Sequence, residues 1–475
     1  MNLVFSFWNI PPEQYLTSDL AESWEVTAEG VTFYLRHGIM WTGREDVMES
    51  RELTADDIVF HLERLRNRPG YASWYSFIDS VTAPDRYTVC VDFTGYNAAW
   101  AQYLGWYVGT GIIPPEVVGA GAENWFNAVG TGPFIMTGYV KGSYVVYEKN
   151  PDYWGTTTIN GKEYQIPFID KLFYPVIPDE STQVAALRTA KLDMWPRVPL
   201  RYEASLIQTC PELVQDKYLT GRVDNLKLKA CTESDCFYKR EVRRAVMIGT
   251  DLEAIRNAIY IEGELHCMPM GRGTPEYTPF EELPESTKEL FDYDPVEAQQ
   301  MLADAGFPNG FECEMILSSQ YIDLGSMLQE MWAKIGVTLQ LTVLESAAVT
   351  ARSAAADYDV CPNLHTDVNP FQVLGILGKG DRPASSIKDA RYDEMYNEAI
   401  AITDPAERTA KLKELALYFE DNVMVLGICN PYNISAYWPW VKNYYGELDC
   451  GFHNAMPMIS TLWIDQDMKA ELGYK

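Results

Sequence analysis

The chain has 475 residues, more than one hydrophobic core normally holds, and its 38 basic against 67 acidic residues give a formal net charge of −29. That charge repels a phosphate backbone and anionic lipid head groups, so it argues against a nucleic-acid or membrane-surface partner. A hydrophobic content of 47% excludes disorder as the main state, and no apolar run reaches the roughly 18 residues that a membrane-spanning helix needs.

The first predicted elements are two hairpins. Residues 24–36 alternate apolar and polar side chains on both sides of a Glu-Gly pair, and residues 79–93 do so around Pro84-Asp85, where we predict the turn. The remaining predicted elements are, in chain order, a helix from Leu53 capped by Thr54, a strand pair over 130–150, a strand over 168–178, a helix over 182–192, helices over 240–260, 294–305 and 321–335, a strand over 337–344, two helices over 391–421 broken at Asp404-Pro405, and strands over 423–438 and 458–464.

Strands and helices alternate throughout, and neither a repeat period nor a low-complexity linker separates independent domains. A chain of this size without linkers suggests domains that the backbone crosses more than once. We therefore predict an α/β protein of two lobes with a cleft between them. The aromatic content of 13%, with 13 Trp and 30 Tyr, fits a large cleft lined with rings, although core packing also accounts for such residues.

The nine cysteines are an odd number and cannot all pair within one chain. Cys231 and Cys236 are close enough for a local disulfide, but they lack the second half of a zinc motif. The N-terminal segment has neither a positive region nor a small-residue cleavage site, so it is not itself a signal peptide. Either a signal has been removed or the protein is cytosolic, and the residues leave both open.

Common catalytic motifs are absent from the sequence. It contains no HExxH, GxSxG or GxxxxGK[ST] pattern, and Pro114 and Pro115 follow the glycine-rich stretch at 105–111 where a dinucleotide-binding helix would begin. The five histidines lack metal-type spacing, and acidic pairs are expected by chance among 67 carboxylates. We predict no catalytic residues, no metal and no cofactor.

Seven segments occur in the order found in one family. They are DLAESWEVTAEGVTFYLRHGIMWTG, LTADDIVFHLERL, GTGPFIMTGYVKGSYVVYEKNPDYWG, IDKLFYPVIPDESTQVAALRTAKLDM, REVRRAVMIGTDLEAI, YDPVEAQQMLADAGFPNGF and ITDPAERTAKLKELALYFEDNV. From about Leu20 to Trp463 the chain thus resembles the extracytoplasmic solute-binding proteins of family 5, the peptide, nickel and oligosaccharide receptors of ABC importers.

The resemblance implies a two-lobed periplasmic-binding-protein-like fold with a hinge and an extra subdomain in lobe 1. It implies lobe 1 over 1–225 with a subdomain at about 25–150, lobe 2 over 226–440, and a return to lobe 1 over 441–475. Such a receptor binds without chemistry, acts as a monomer beside a membrane permease, and lies in the periplasm or on the cell surface as a lipoprotein. The chain begins near the end of the family's first strand, so we expect a signal segment to lie outside it.

The implied ligand segment departs from the family's peptide receptors. Those receptors carry a Trp-x-x-Asp-Tyr pattern, but this sequence reads LHTDVNP, with Asp367 but neither the tryptophan nor the tyrosine. The arginine that some members carry six residues earlier is Cys361. A short oligopeptide is the first prediction for the solute, an oligosaccharide is the second and nickel is the third. A secreted glycoside hydrolase is the alternative from another class of protein.

Asp367 is the predicted partner of a peptide ammonium, since a buried charge needs a counter-charge. The competing interpretation is an ordinary turn aspartate before Asn369-Pro370. The other predicted solute contacts are polar neighbours of Asp367 and rings, each of which could instead belong to the core; they are His365, Asn369, Trp106, Tyr107, Trp195, Tyr432 and Tyr437.

Overall fold

The computed structural model describes residues 4–6, 16–69, 71–106, 111–366, 370–380, 386–446 and 455–474, with the backbone alone at 4–6, 16, 17, 106 and 366. The fold is mixed α/β, as predicted. Two compact units form: unit 1 comprises Met1–Lys217 and Ile434–Lys475, and unit 2 comprises Tyr218–Asn433. Unit 1 is therefore discontinuous in sequence. The lobe boundaries near 225 and 440 and the subdomain at about 25–150 remain predictions.

Strands occur in both units. They are β1 (Val4–Ser6), β2 (Leu16–Ser18), β3 (Ala21–Val26), β4 (Gly30–Leu35), β5 (Met40–Trp41), β6 (Arg51–Glu52), β7 (Ile78–Asp85), β8 (Thr88–Phe93), β9 (Phe134–Val140), β10 (Tyr144–Lys149), β11 (Thr156–Ile159), β12 (Lys162–Gln165), β13 (Lys171–Pro175), β14 (Met194–Pro199), β15 (Val214–Leu219), β16 (Arg222–Leu228), β17 (Gly263–Glu264), β18 (Phe311–Leu317), β19 (Val337–Val343), β20 (Val360–Thr366), β21 (Leu426–Tyr437), β22 (Val441–Lys442) and β23 (Trp463–Ile464).

The α-helices are α1 (Ala55–Arg66), α2 (Pro115–Ala120), α3 (Glu180–Arg188), α4 (Glu203–Thr209), α5 (Arg240–Ile248), α6 (Leu252–Ile255), α7 (Glu285–Lys288), α8 (Pro295–Asp304), α9 (Ile322–Lys334), α10 (Ser346–Ala354), α11 (Pro370–Gln372), α12 (Ala390–Ala401), α13 (Pro405–Asp421), α14 (Met456–Ile459) and α15 (Gln466–Glu471). Short 3₁₀ helices occur at Trp125–Asn127, Leu200–Tyr202, Phe280–Glu282, Glu289–Phe291 and Ser319–Tyr321, and π-helical turns at Gln102–Trp106, Arg256–Tyr260 and Val373–Gly378.

Unit 1 contains a four-stranded antiparallel sheet in the order β3-β4-β8-β7, against which α1 packs. Both predicted hairpins form, but the second turns later than expected. Pro84 and Asp85 still belong to β7, and the Asp85 carboxylate accepts a hydrogen bond from the Tyr87 amide (2.8 Å). That bond fixes the turn at Arg86-Tyr87, because an aspartate that bonds the amide two residues on supplies the turn itself.

The start of α1 follows its sequence signals. Thr54 is the N-cap residue, and the Asp57 carboxylate accepts a hydrogen bond from the Thr54 amide (3.0 Å). Ile58, Leu62 and Leu65 are all buried on one helical face. The local pattern thus sets both the beginning of the helix and the side that packs on the sheet.

Unit 2 is built on a mixed sheet in the order β21-β16-β20-β18-β19. The pairs β18–β19 and β18–β20 are parallel, whereas β16 runs antiparallel to β20 and to β21. Helix α9 connects β18 to β19, as parallel pairing requires a crossover.

The two faces of β16 pack against different cores. Leu226 and Leu228 belong to a core with Val242 of α5 and Leu328 of α9. Val223, on the other face, belongs to a core with side chains of α12 and α13. Strand β16 is therefore covered on both sides, and any polar side chain on it needs a partner inside unit 2.

Several local predictions require correction. The first two residues of the glycine-rich stretch at 105–111 belong to a π-helical turn over Gln102–Trp106, and residues 107–110 lie outside the described ranges. Residues 458–464 were expected as a strand, but α14 continues to Ile459 and only Trp463–Ile464 is extended. The helix expected over 240–260 divides at Gly249 into α5, α6 and a π-helical turn, because Asp251 caps a new helix by accepting from the Ala254 amide (2.9 Å).

Cys231 and Cys236 are free thiols and form no local disulfide. Within the described ranges, no cluster of His, Cys, Asp or Glu has a geometry that would hold a metal ion. Over the same ranges, no helix has both the length and the apolar character needed to cross a bilayer.

Candidate functional site

The candidate site in unit 2 is the corner where β20 ends beside the beginning of β16. In the antiparallel register, Arg222 lies opposite Thr366, and Val223 lies opposite His365. Strand β20 therefore ends opposite the first residues of β16. The predicted contacts Asp367 and Asn369 lie outside the described residues, and their roles remain predictions.

The same corner is joined to β21 by main-chain and side-chain hydrogen bonds. The Thr220 amide donates to the Pro431 carbonyl oxygen (3.1 Å), and the Thr220 hydroxyl donates to Asn430 Oδ1 (2.8 Å). The Tyr432 amide donates to the Glu262 carbonyl oxygen (3.3 Å). These bonds fix the backbone at Tyr432, whose side chain is half-buried.

His365 is the predicted contact that the structure describes most fully. Its Nε2 atom is buried and has no hydrogen-bond partner among the described residues. Burial lowers the pKa of His365 to about 4, and a hydrogen bond with the Gln372 backbone opposes that shift. The imidazole is therefore neutral at pH 7, and its Nε2 can exchange one hydrogen bond with a solute.

Other polar side chains share the face of His365, because directly paired residues of antiparallel strands point to the same side. Asn363 Nδ2 donates to Asn225 Oδ1 (3.3 Å) across the β20–β16 pair. Lys227, two residues further along β16, is 4% exposed. Its ammonium donates to Ser353 Oγ (2.5 Å) and lies 5.2 Å from the Tyr358 ring centroid.

The charge of Lys227 is unusual for so buried a position. Burial lowers its pKa, and Lys227 in turn contributes to the low pKa of His365. The serine hydroxyl and the tyrosine ring supply the polar contacts that a buried ammonium requires. Sequence reasoning missed this residue, although a lysine between the apolar residues Leu226 and Leu228 was a visible signal.

Asp224 occupies the opposite face of β16 and was also missed. Its carboxylate accepts hydrogen bonds from the hydroxyls of Tyr260 (2.9 Å) and Tyr321 (3.0 Å). Burial raises the pKa of Asp224, while the two hydroxyls favour its ionised form. An acid directly after the apolar residue Val223 was the available signal, but nothing in the sequence identifies its two partners.

The predicted rings of unit 1 form a separate set. Trp195 lies in β14 and is half-buried. Tyr437, at the end of β21, packs edge-to-face on Tyr444 with ring centroids 4.8 Å apart. The backbone of Trp106 belongs to a π-helical turn, and Tyr107 lies outside the described residues. His365 and Tyr432 therefore belong to unit 2, and Trp195 and Tyr437 belong to unit 1.

Comparison with protein families gives one extended match. A profile described as "Bacterial extracellular solute-binding proteins, family 5 Middle" matches residues 16–371, about three quarters of the chain.

Individual relatives are distant but cover most of the chain. The chain is 25% identical to the heme-binding protein A of Haemophilus influenzae, over 90% of this chain and 81% of that protein. It is 24% identical to the di/tripeptide-binding protein 1 of Pseudomonas aeruginosa, over 86% and 80%.

A solved structure has the same fold. The periplasmic binding protein DppA of Helicobacter pylori, associated with an ABC transporter and solved in complex with the peptide STSA, superposes with a TM-score of 0.83. That superposition covers 98% of this chain and 92% of the other at 22% identity. At this identity the likeness establishes the fold alone.

Proposed function

The chain belongs to the bacterial extracellular solute-binding proteins of family 5, and from this premise we propose that it captures a short oligopeptide for delivery to the permease of an ABC importer. The observation that carries the proposal is the family match over residues 16–371. Two of the similar proteins support the peptide as solute, because one is named for di- and tripeptides and the other is solved with a peptide.

The polar corner of unit 2 supports the same solute. A short peptide presents amide N–H and C=O groups, an α-ammonium and a carboxylate. We propose that Asp367 receives the ammonium and that the neutral His365 exchanges a hydrogen bond with a peptide group, while Asn369 and Tyr432 complete the contact. A charged peptide terminus requires a counter-charge once it leaves water, and Asp367 is the predicted one.

The proteins of this family are binding proteins, so the proposed receptor performs no chemistry on its solute. We propose that it works as a monomer in the periplasm or on the cell surface as a lipoprotein. Its net charge of −29 limits adhesion to anionic lipid, which suits a receptor that must leave the membrane to collect solute.

The identity of the solute is tested by native mass spectrometry of the purified protein, followed by denaturation and analysis of what is released. The expected result is a peptide of a few residues. Release of an oligosaccharide would overturn the peptide proposal but not the family assignment. Release of heme would do the same, and heme is included because the Haemophilus relative is named a heme-binding protein.

A further inference from the structure

A cavity of about 690 Å³ lies within unit 2, lined by residues of three segments at 251–256, 263–266 and 272–293. None of the described solute-contact residues belongs to its lining. The volume falls in the range of sites that take small organic molecules.

Rings form one wall of this cavity. The His266 ring contacts Tyr277, Phe280 and Phe291, with centroids 5.3, 5.8 and 5.5 Å away. Phe280 and Phe291 pack edge-to-face at 5.5 Å. Tyr293 also lines the cavity, and it and Phe280 are each 37% exposed. The wall thus offers the faces and edges of several rings to a ligand.

Two arginines of the lining are already paired with acids of the lining. Arg272 lies 3.3 Å from the Glu264 carboxylate, and Arg256 lies 3.8 Å from that of Glu253. His266 Nε2 lies 3.0 Å from a carboxylate oxygen of Glu420, so the histidine is also paired with an acid. The positive groups of the cavity are therefore each matched by a carboxylate.

Two further carboxylates, Asp251 and Asp292, line the cavity without an ion pair among the described residues. Four lining acids against two lining arginines leave an excess of two negative charges, with His266 and Glu420 counted as a pair. Aromatic faces beside an excess of carboxylates favour a cation, because ring quadrupoles and carboxylates both attract positive charge.

We propose that this cavity is a second binding site, separate from the solute site, that takes a small organic cation such as an alkylammonium. An anion would meet the excess carboxylates, and a neutral apolar ligand would leave their two negative charges unbalanced. The proposal does not depend on the identity of the transported solute.

The test uses the full chain, saturated with its solute, and choline as the probe. Saturation-transfer NMR on the trimethylammonium protons, with calorimetry for affinity, should show binding with a Kd of about 1 mM or tighter. The neutral isostere, an alcohol in which a tert-butyl group replaces the trimethylammonium group, should bind at least about fivefold more weakly. Equal binding of the two molecules, or no binding of choline, would overturn the proposal.

Two exposed residues locate the site without disturbing a core. Asp292→Asn and Tyr293→Leu should each weaken choline binding about twofold to fivefold. Asp323→Asn removes an exposed acid of unit 2 outside the lining and should leave the affinity unchanged. Binding that neither pocket variant weakens, or that added dipeptide displaces, would place choline elsewhere and contradict the assignment.

Discussion

Buried polar groups on the two faces of β16 differ in their hydrogen bonding. On one face, Asp224 receives hydrogen bonds from two tyrosine hydroxyls. On the other, His365 lies opposite Val223 with a buried Nε2 that has no partner among the described residues. A satisfied polar group stabilises the fold, whereas an unsatisfied one is destabilising unless a ligand or another group completes it. The comparison therefore favours a structural role for Asp224 and fits the proposal that His365 contacts the solute.

Replacing Asp224 should have the largest effect on stability. Asp224→Ala leaves the hydroxyls of Tyr260 and Tyr321 without their acceptor, which should lower the free energy of unfolding by roughly 2–4 kcal/mol. Urea unfolding at pH 7 measures the change, and calorimetry should show unaltered solute affinity of the folded fraction.

The control for that variant removes the donors as well. Asp224→Ala combined with Tyr260→Phe and Tyr321→Phe should recover part of the lost stability, because no unpaired hydroxyl remains. An Asp224→Ala protein as stable as the wild type would show that the carboxylate does not hold this face together.

A second unsatisfied group, the acid Glu276, should make stability depend on pH. It is 6% exposed, its Oε2 has no hydrogen-bond partner among the described residues, and burial raises its pKa from 4.5 to about 7. Because the folded state holds this proton more tightly, the contribution of Glu276 to stability is fully present below pH 4.5 and is lost as the pH rises through 7. The loss should be at most about 3 kcal/mol.

Urea unfolding between pH 4.5 and 8 tests this dependence, with Glu276→Gln as the isosteric control. The variant should lose the part of the slope that Glu276 contributes, because a glutamine does not titrate, while the contributions of His365 and other groups remain. If the difference in free energy of unfolding between the wild type and Glu276→Gln were the same at pH 4.5 and pH 8, the raised pKa would be contradicted.

His365 should give a pH dependence of opposite sign. Its pKa falls from 6.5 to about 4 on folding, so the folded state binds the proton more weakly than the unfolded chain. The stability is fully present above pH 6.5 and decreases as the pH falls toward 4, by about 1–3 kcal/mol for a half-buried residue. Subtracting the free energy of unfolding of His365→Gln from that of the wild type isolates this contribution, which should grow as the pH rises from 4 to 6.5. A difference that stays constant or shrinks as the pH rises would refute the assignment.

The effect of His365 on solute binding should be smaller. His365→Gln removes the imidazole but keeps a hydrogen-bonding side chain, and His365→Leu removes hydrogen bonding altogether. The leucine variant should lose roughly 0.5–1.5 kcal/mol of solute affinity, about twofold to tenfold, because one hydrogen bond is lost. Calorimetry with the co-purifying solute measures it, and a leucine variant that binds as tightly as the wild type would remove His365 from the solute site.

Signals that lie within a few residues of one another predicted much of the fold. The Asp294-Pro295 start of α8 and the Thr54 cap of α1 each combine a capping residue with an apolar periodicity, and both helices begin where expected. Such contacts depend on neighbours along the chain, so the sequence alone contains the information.

The contacts of Asp224 and Lys227 join residues far apart in the sequence, so local patterns do not predict them. Asp224 meets tyrosines 36 and 97 residues away, and Lys227 meets a serine 126 residues away. These pairs form because the sheet brings distant strands and helices together. For the same reason, sequence reasoning did not predict that Asp224 and Lys227 are buried and paired. The family resemblance drew attention to His365, whose contact with the solute remains a proposal.

The central proposal, that Asp367 receives the α-ammonium of a short peptide, is tested most directly by calorimetric titration with a dipeptide and its N-acetylated form. The account predicts that acetylation weakens binding to the wild type by roughly 2–5 kcal/mol, about 30-fold or more, because the ammonium is lost. It predicts that Asp367→Asn weakens binding of the free dipeptide by a similar amount and makes acetylation matter little. A wild type that binds both peptides equally, or an Asp367→Asn variant that binds the free dipeptide as tightly as the wild type, would contradict it.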